Sequence, residues 1–352
     1  IGVAAGWSDA GGGRGASDFP YLTELTIGGF FAFALCSLYL ARQHLASTAR
    51  AALGLRLTDK AGVGESDRRH YRLAYLLLFG GAAGVMVFCL QLGIKPAAVI
   101  GVFTVYLLVV LTLARLRAEA GPAWAFGPDR RPTDLLVWLC GSTAFNRQSL
   151  AGLGLLSWFF SDVRFATLPS YMESLKIGHD GGLSRRHLVV VLGVSTLLAI
   201  GFGMFAITNQ YYDLGAATAK CYGAGRGISQ YSAQVVLNWL SMPTNPDWKK
   251  LPLVLLGGVI TTGLHLARQK VLWWPFHPVG FVMAHTGAGY SFFCHYFIAW
   301  LAKTFILRSG GMKLYRRSMP FVIGLILGDI VTQTGWSLIA TLAGWPVYQF
   351  IT

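Results

Sequence analysis

Residues 314–336 read LYRRSMPFVIGLILGDIVTQTGW, and this stretch decides the fold class. It opens on Arg316 and Arg317, places Pro320 where a helix would begin, and then runs apolar for long enough to cross a bilayer, interrupted only by Asp329. A carboxylate about 13 Å into a helix, at 1.5 Å per residue, costs at least about 2.5 kcal/mol on insertion scales unless something pairs with it or wets it. Helical spacing puts Thr332, Gln333 and Trp336 on the Asp329 face, with Leu325 and Ile326 below. Gly324 and Gly328 form a small-xxx-small pair that admits a second helix. Asp329 is therefore expected to face a protein interior or a cavity rather than lipid.

The whole chain has the same character. Of 352 residues, 54% are hydrophobic and 12% charged, where soluble domains average about 25% charged. The net charge of +14 is spread through loops between apolar spans, as in polytopic membrane proteins, so nucleic acid is not an expected partner and the bilayer is. The five cysteines include no CxxC; all but Cys221 sit in apolar runs and read as small buried hydrophobes, and no disulfide framework is implied.

Outward from the opening stretch, the reading is all-α: a polytopic integral membrane protein of about seven or eight transmembrane helices, one or two of them broken or re-entrant. A Gly-rich N-terminal loop (1–24) precedes a single transmembrane domain (25–345). Its spans are expected at 25–45, 73–94, 97–114, 135–160, 188–207, 251–270, 279–307 and 320–343, with a tail at 346–352. Glu24 sits at the entrance of the first span and is read as wet. Residues 50–72 carry Arg50, Arg56, Lys60, Arg68, Arg69 and Arg72, which makes that loop cytoplasmic by the positive-inside rule. Gly80 and Gly84 make a second close-packing pair.

Residues 135–160 are two short apolar halves around CGSTAFNRQS, each too short to cross alone at about 20 residues per span. They form a re-entrant hairpin, a broken helix or an interfacial helix pair, with Asn146 and Arg147 at the break. Counted as re-entrant, this segment leaves the cluster Arg308, Lys313, Arg316 and Arg317 outside; counted as a crossing, it puts 161–187 outside. Residues 208–250, with aromatic anchors and a PTNPDW turn, are read as an interfacial loop.

Catalytic signatures are scarce: there is no HExxH, GxSxG, CxxC or Walker loop. No enzyme activity, metal or cofactor is assigned. The segment ARLRAEAGPAWAFGPDRRP (114–132) reads either as an interfacial belt of snorkelling arginines or as a gate in which Glu119 and Arg117 pair or bind substrate. His285 and His295 are about 15 Å apart along a straight helix, too far to share a metal unless the helix breaks at Gly287. A proton relay joining Asp329 to one of these histidines or to Lys303 is one reading, because intramembrane ionisable groups mark ion or proton paths; the other is an Asp329 hydrogen-bonded to Thr332 or a neighbouring helix end and serving assembly alone.

The motifs RLRAEAGPAW, FGPD, GAATAK, WLSMPTNPDW, WWPFHPVGF and ILRSGGMKLYRRSMPFVIGLILGD resemble those of a family of uncharacterised bacterial polytopic membrane proteins, known as paired domains of unknown function. The family is distantly similar to oligopeptide transporters. The resemblance implies a bacterial cytoplasmic (inner) membrane location and matches the C-terminal part of longer members, so an upstream N-terminal half is expected; it carries over no catalytic residue.

Two functions follow as expectations. The first is a secondary-transporter-like protein, or the C-terminal half of one, for a small organic or peptide-like solute with proton coupling; its candidate residues are Asp329, Glu119, Arg117, Asn146, Arg147, His285, His295 and Lys303. The second is a non-catalytic scaffold in a larger membrane complex with partner subunits. A transferase acting on lipid-linked substrates ranks third, with Glu119 as its carboxylate.

Overall fold

A computed structural model describes residues 20–55, 68–121, 126–160, 166–215 and 224–343. The Gly-rich opening up to residue 19, the middle of the basic loop, Trp124, Cys221, most of the GAATAK stretch and the C-terminal tail lie outside the described residues. Among the described residues the chain is helical, without strands. Among the described residues, six stretches are long and apolar enough to cross a membrane: Leu22–Ala52, Arg68–Gln91, Pro96–Ala120, Arg186–Asp213, Leu251–Lys270 and Ser291–Ala340. The protein is a multi-pass α-helical membrane protein in contact with the bilayer. It divides into two compact units, Ile1–Tyr290 and Ser291–Thr352.

The first unit is built around α1 (Leu22–Ala52). Its neighbours are α2 (Arg68–Gln91), α3 (Pro96–Ala120) and α9 (Leu251–Lys270). α1 and α9 run parallel and in step: Gly28 lies against Val254, Ala32 against Gly258, and Phe33 stacks on His265 with ring centroids 5.5 Å apart. The two backbones touch. A Cβ on Gly28 would lie 1.8 Å from the Val254 oxygen, and one on Gly257 would lie 2.0 Å from the Leu25 oxygen. This is the close approach that only glycine allows.

α3 also runs in step with α1. Ile27 shares a core with Val105, and the Thr112 hydroxyl donates to the Phe30 carbonyl at 2.8 Å. Phe30 and Phe33 pack with Val109, Leu113 and Leu116. α2 buries only Cys89. Gly80 and Gly84 are expected to pack closely, yet a Cβ added at either would meet nothing within 4 Å, so their face is available to lipid.

The 135–160 segment is a hairpin of two short helices, α4 (Pro132–Cys140) and α5 (Arg147–Leu156). Leu136 of α4 meets Gly101 of α3. After the turn, Ser149 of α5 accepts from the Lys95 N–H at 2.9 Å, Gly152 meets Ile94, and Phe160 reaches Phe103 and Tyr106. So α4 runs against α3 and α5 returns alongside it. The tip, with a 3₁₀ turn at Ser142–Ala144, exposes backbone groups that a membrane interior would leave unpaired. The PTNPDW turn supplies partners: Thr244 N–H donates to Ser142 Oγ at 2.8 Å and Thr143 N–H to the Thr244 carbonyl at 3.3 Å. Gly141, at φ 77°, lies so close that a Cβ would be 2.7 Å from Pro246. Ser142 is buried. Ser142→Ala is accordingly expected to lower stability by about 1–2 kcal/mol, the cost of a lost buried hydrogen bond, read as a lower thermal midpoint in detergent; an unchanged midpoint would mean the turn is not held this way.

Three more helices complete this layer: α6 (Thr167–Asp180), α7 (Arg185–Leu214) and α8 (Ala224–Ser241). α6 packs on α3 and α7. The region expected to be an interfacial loop contains α8, which packs on α5 through a Ser157–Ser232 hydroxyl pair at 2.7 Å. After α9, the short α10 (Pro278–Ala284) turns back against α9 and α1.

Sequence spacing divides residues 279–343 into two spans, with a helix starting at Pro320. Instead, α11 covers Gly287–Ala343 and is interrupted at Gly311, whose φ of 58° favours glycine, while Pro320 lies inside the helix. The two legs on either side of Gly311 each have about the 20 residues a crossing needs. The basic cluster Arg308, Lys313, Arg316 and Arg317 brackets this kink.

Candidate functional site

Two interrupted segments of the first unit meet beside the start of α1. Leu135, in the first turns of α4, shares a core with Ile27, Val105 and Val254. Val105 is nine residues into α3, about 14 Å along a helix about 37 Å long, so α4 begins part-way along α3 rather than at its end. His277 and His285 cap the two ends of α10, and His285 Nε2 lies 3.4 Å from Thr23 Oγ1 on α1. The same nitrogen is 3.8 Å from Asp129 Oδ2, and both side chains are largely buried, at 13% and 7% exposure. Phe126, three residues before Asp129, lies against Gly287.

Glu24 follows Thr23 in α1. The sequence reading leaves it wet; the structure buries it completely, at 0% exposure. Helical spacing puts it on the face of Ile27 and Gly28, which the α4 and α9 contacts cover. It stands in the first turn of α1, where the partial positive charge of a helix N-terminus favours a carboxylate.

At the start of α4, Asp134 Oδ2 accepts from the Tyr231 hydroxyl at 2.7 Å, and the Arg131 guanidinium lies 3.6 Å over the Tyr231 ring. Burial disfavours a charge on Asp134, while the Tyr231 hydrogen bond and the neighbouring Arg131 and Arg130 guanidinium groups favour it. Thr133 Oγ1 and Asp134 Oδ1 are buried without a hydrogen-bond partner among the described residues. Such atoms are uncommon, and where they gather, water or polar ligands commonly bind.

The other candidates fall elsewhere. Glu119 lies 2.6 Å from Arg115 and 3.9 Å from His277, and Arg117 lies 2.5 Å from Glu173. These partly exposed pairs tie the end of α3 to α6 and α10. The Val279 N–H donates to His277 Nδ1, which leaves Nε2 to face Glu119. Asn146 caps α5 by accepting from the Ser149 N–H at 3.3 Å, and Arg147 is exposed beside it.

Asp329, His295 and Lys303 belong to the second unit. There Asp329 is exposed and accepts from Gln333 at 3.0 Å, His295 meets Phe292 edge-on, and Lys303 lies 5.6 Å from the Tyr315 ring. Of the residues singled out from sequence, only His285 is in the buried group; Glu24, Asp129 and Thr23 were missed as site residues. The available signal was an acid directly preceding an apolar span, together with a Gly-Pro-broken segment carrying Asp129.

The comparisons with known proteins give one match: residues 1–352 fit the model described as "Family of unknown function (DUF6785)". No curated protein and no solved structure matches the chain.

Proposed function

Because the chain belongs to this family of unknown function, we propose a function from its own residues: a secondary-transporter-like protein of the bacterial cytoplasmic membrane that moves a small organic or peptide-like solute coupled to protons. The observation that carries the reading is the wholly buried Glu24, next in the chain to the Thr23 that meets His285, itself beside Asp129, where the short helices α4 and α10 break off inside the first unit. Discontinuous helices that present their ends and ionisable groups near the membrane midplane are how secondary transporters bind solutes and coupling ions. Histidine changes its charge near physiological pH, and ionisable groups inside membrane proteins mark ion or proton paths.

The test uses the full chain in proteoliposomes with an internal pH dye and a panel of di- and tripeptides outside. A solute that acidifies or alkalinises the lumen only when the protein is present supports the reading. Proteoliposomes in which no panel member moves protons, while the same peptides equilibrate passively, would count against it.

A second reading draws on Asp329. Within its own unit it is an exposed carboxylate on a largely apolar helix, and lipid would penalise that by at least about 2.5 kcal/mol. A scaffolding subunit, with Asp329 covered by a neighbouring protein, relieves the penalty. Stoichiometric co-purification of other membrane subunits in mild detergent favours this reading; a lone chain or homodimer favours transport.

A further inference from the structure

A groove of about 760 Å³ lies in the first unit between the start of α4 and the chain leading into α9, and Arg130, Trp138, Asn245, Trp248, Lys249 and Lys250 are among the residues that line it. We propose that it binds a phosphate group carried on an organic body. The lining includes three cations against one carboxylate, Asp247, which lies 3.6 Å from Lys250. Cations thus outnumber the carboxylate in the lining, while Arg130 also lies near Asp134 at the start of α4. Lys250 is also the cap residue of α9, a 20-residue helix with no acid in its first turn, so the positive end of the helix adds to the same field.

The wall of the groove is built rather than adjustable. Thr244 and Asn245 are held by Ser142 and Thr143, the Trp248 N–H donates to the Pro246 carbonyl at 3.1 Å, and the Lys250 N–H to the Asp247 carbonyl at 3.2 Å. Holding cationic groups in place before a ligand arrives lowers the cost of binding. Arg130 stands 5.5 Å over the Trp138 ring, which restrains its guanidinium, and guanidinium matches the oxygens of phosphate two at a time. Trp138 and the 68% exposed Trp248 offer flat apolar faces to whatever the phosphate is attached to.

Arg130 directly follows Asp129 of the acid–histidine pair in the chain. The proposal nevertheless stands apart from transport, because binding is measured at equilibrium without a gradient. The phosphate has two sources, a free organophosphate or an anionic lipid headgroup. They are separated by two probes: glycerol 3-phosphate, titrated calorimetrically into the full chain in a non-ionic detergent, and nanodiscs of phosphatidic acid compared with phosphatidylcholine, read as thermal midpoint.

Binding of glycerol 3-phosphate assigns a soluble ligand; a midpoint raised by phosphatidic acid alone assigns a lipid. In either arm Lys249→Gln, at an exposed position that tolerates change, is expected to weaken binding at least about tenfold, the effect of one lost charge-assisted contact. Lys249→Arg should retain it, and Arg130→Gln should weaken it further. The proposal is overturned if neither probe binds, or if Lys249→Gln binds both as well as the wild type.

Discussion

Gly257→Ala is expected to destabilise the protein by about 3 kcal/mol, the upper end of overpacking costs. The added Cβ would lie 2.0 Å from the Leu25 oxygen, with the Leu25 carbonyl carbon and Cα at 2.7 and 2.8 Å. All three are backbone atoms. No rotamer change relieves the clash, so α1 and α9 must separate, and the seam continues at Gly28 against Val254. Leu25 adjoins Glu24, so the same shift would also move the buried carboxylate. Gly80→Ala and Gly84→Ala serve as controls: with nothing within 4 Å, the loss of glycine's backbone entropy should leave stability unchanged or raise it by up to about 1 kcal/mol. Thermal unfolding in detergent reads all three, and equal midpoints for Gly257→Ala and Gly80→Ala would remove the seam from the account.

Asp129→Asn is expected to lower proton-driven uptake about 100-fold, the scale of a lost group that must take up and release a proton. His285 Nε2 lies 3.8 Å from an Asp129 oxygen and 3.4 Å from the Thr23 hydroxyl, so removing the Asp129 charge changes the field at that nitrogen. The asparagine keeps the shape and removes the charge. Thr23→Val removes only a long contact of 3.4 Å and should cost less than about tenfold. Groups that act as a unit are non-additive, so Asp129→Asn combined with His285→Gln should be no slower than the worse single variant. Multiplying effects would mean that the two residues work independently.

Much of the fold is legible in sequence because a bilayer imposes a simple rule, about 20 apolar residues per crossing. Residues 251–270 coincide with α9, and the expected spans at 73–94, 97–114 and 188–207 fall largely within α2, α3 and α7. α3 and α7 run on past their apolar cores, α3 through Arg115, Arg117 and Glu119, since charged side chains at helix ends snorkel to the interface. Pro320 misled because a membrane helix can continue through proline, whereas Gly311 adopts a backbone few other residues share.

The site was less legible. Nothing local marks Glu24 as buried; α4 and α9, which cover its face of α1, come from more than a hundred residues away. Small-residue spacing likewise marks Gly80 and Gly324 as readily as Gly28, because it states what a face permits and not what sits on it. Asp329 drew attention as the acid deepest within an apolar run, and that pattern is blind to acids brought inside by tertiary packing.

The most direct test of proton coupling at Glu24 separates two assays on one variant. In proteoliposomes, Glu24→Gln should abolish solute uptake driven by an imposed pH gradient and leave solute counterflow, which needs no net proton movement, within about twofold of the wild type. Gradient-driven uptake by Glu24→Gln equal to that of the wild type would contradict the account.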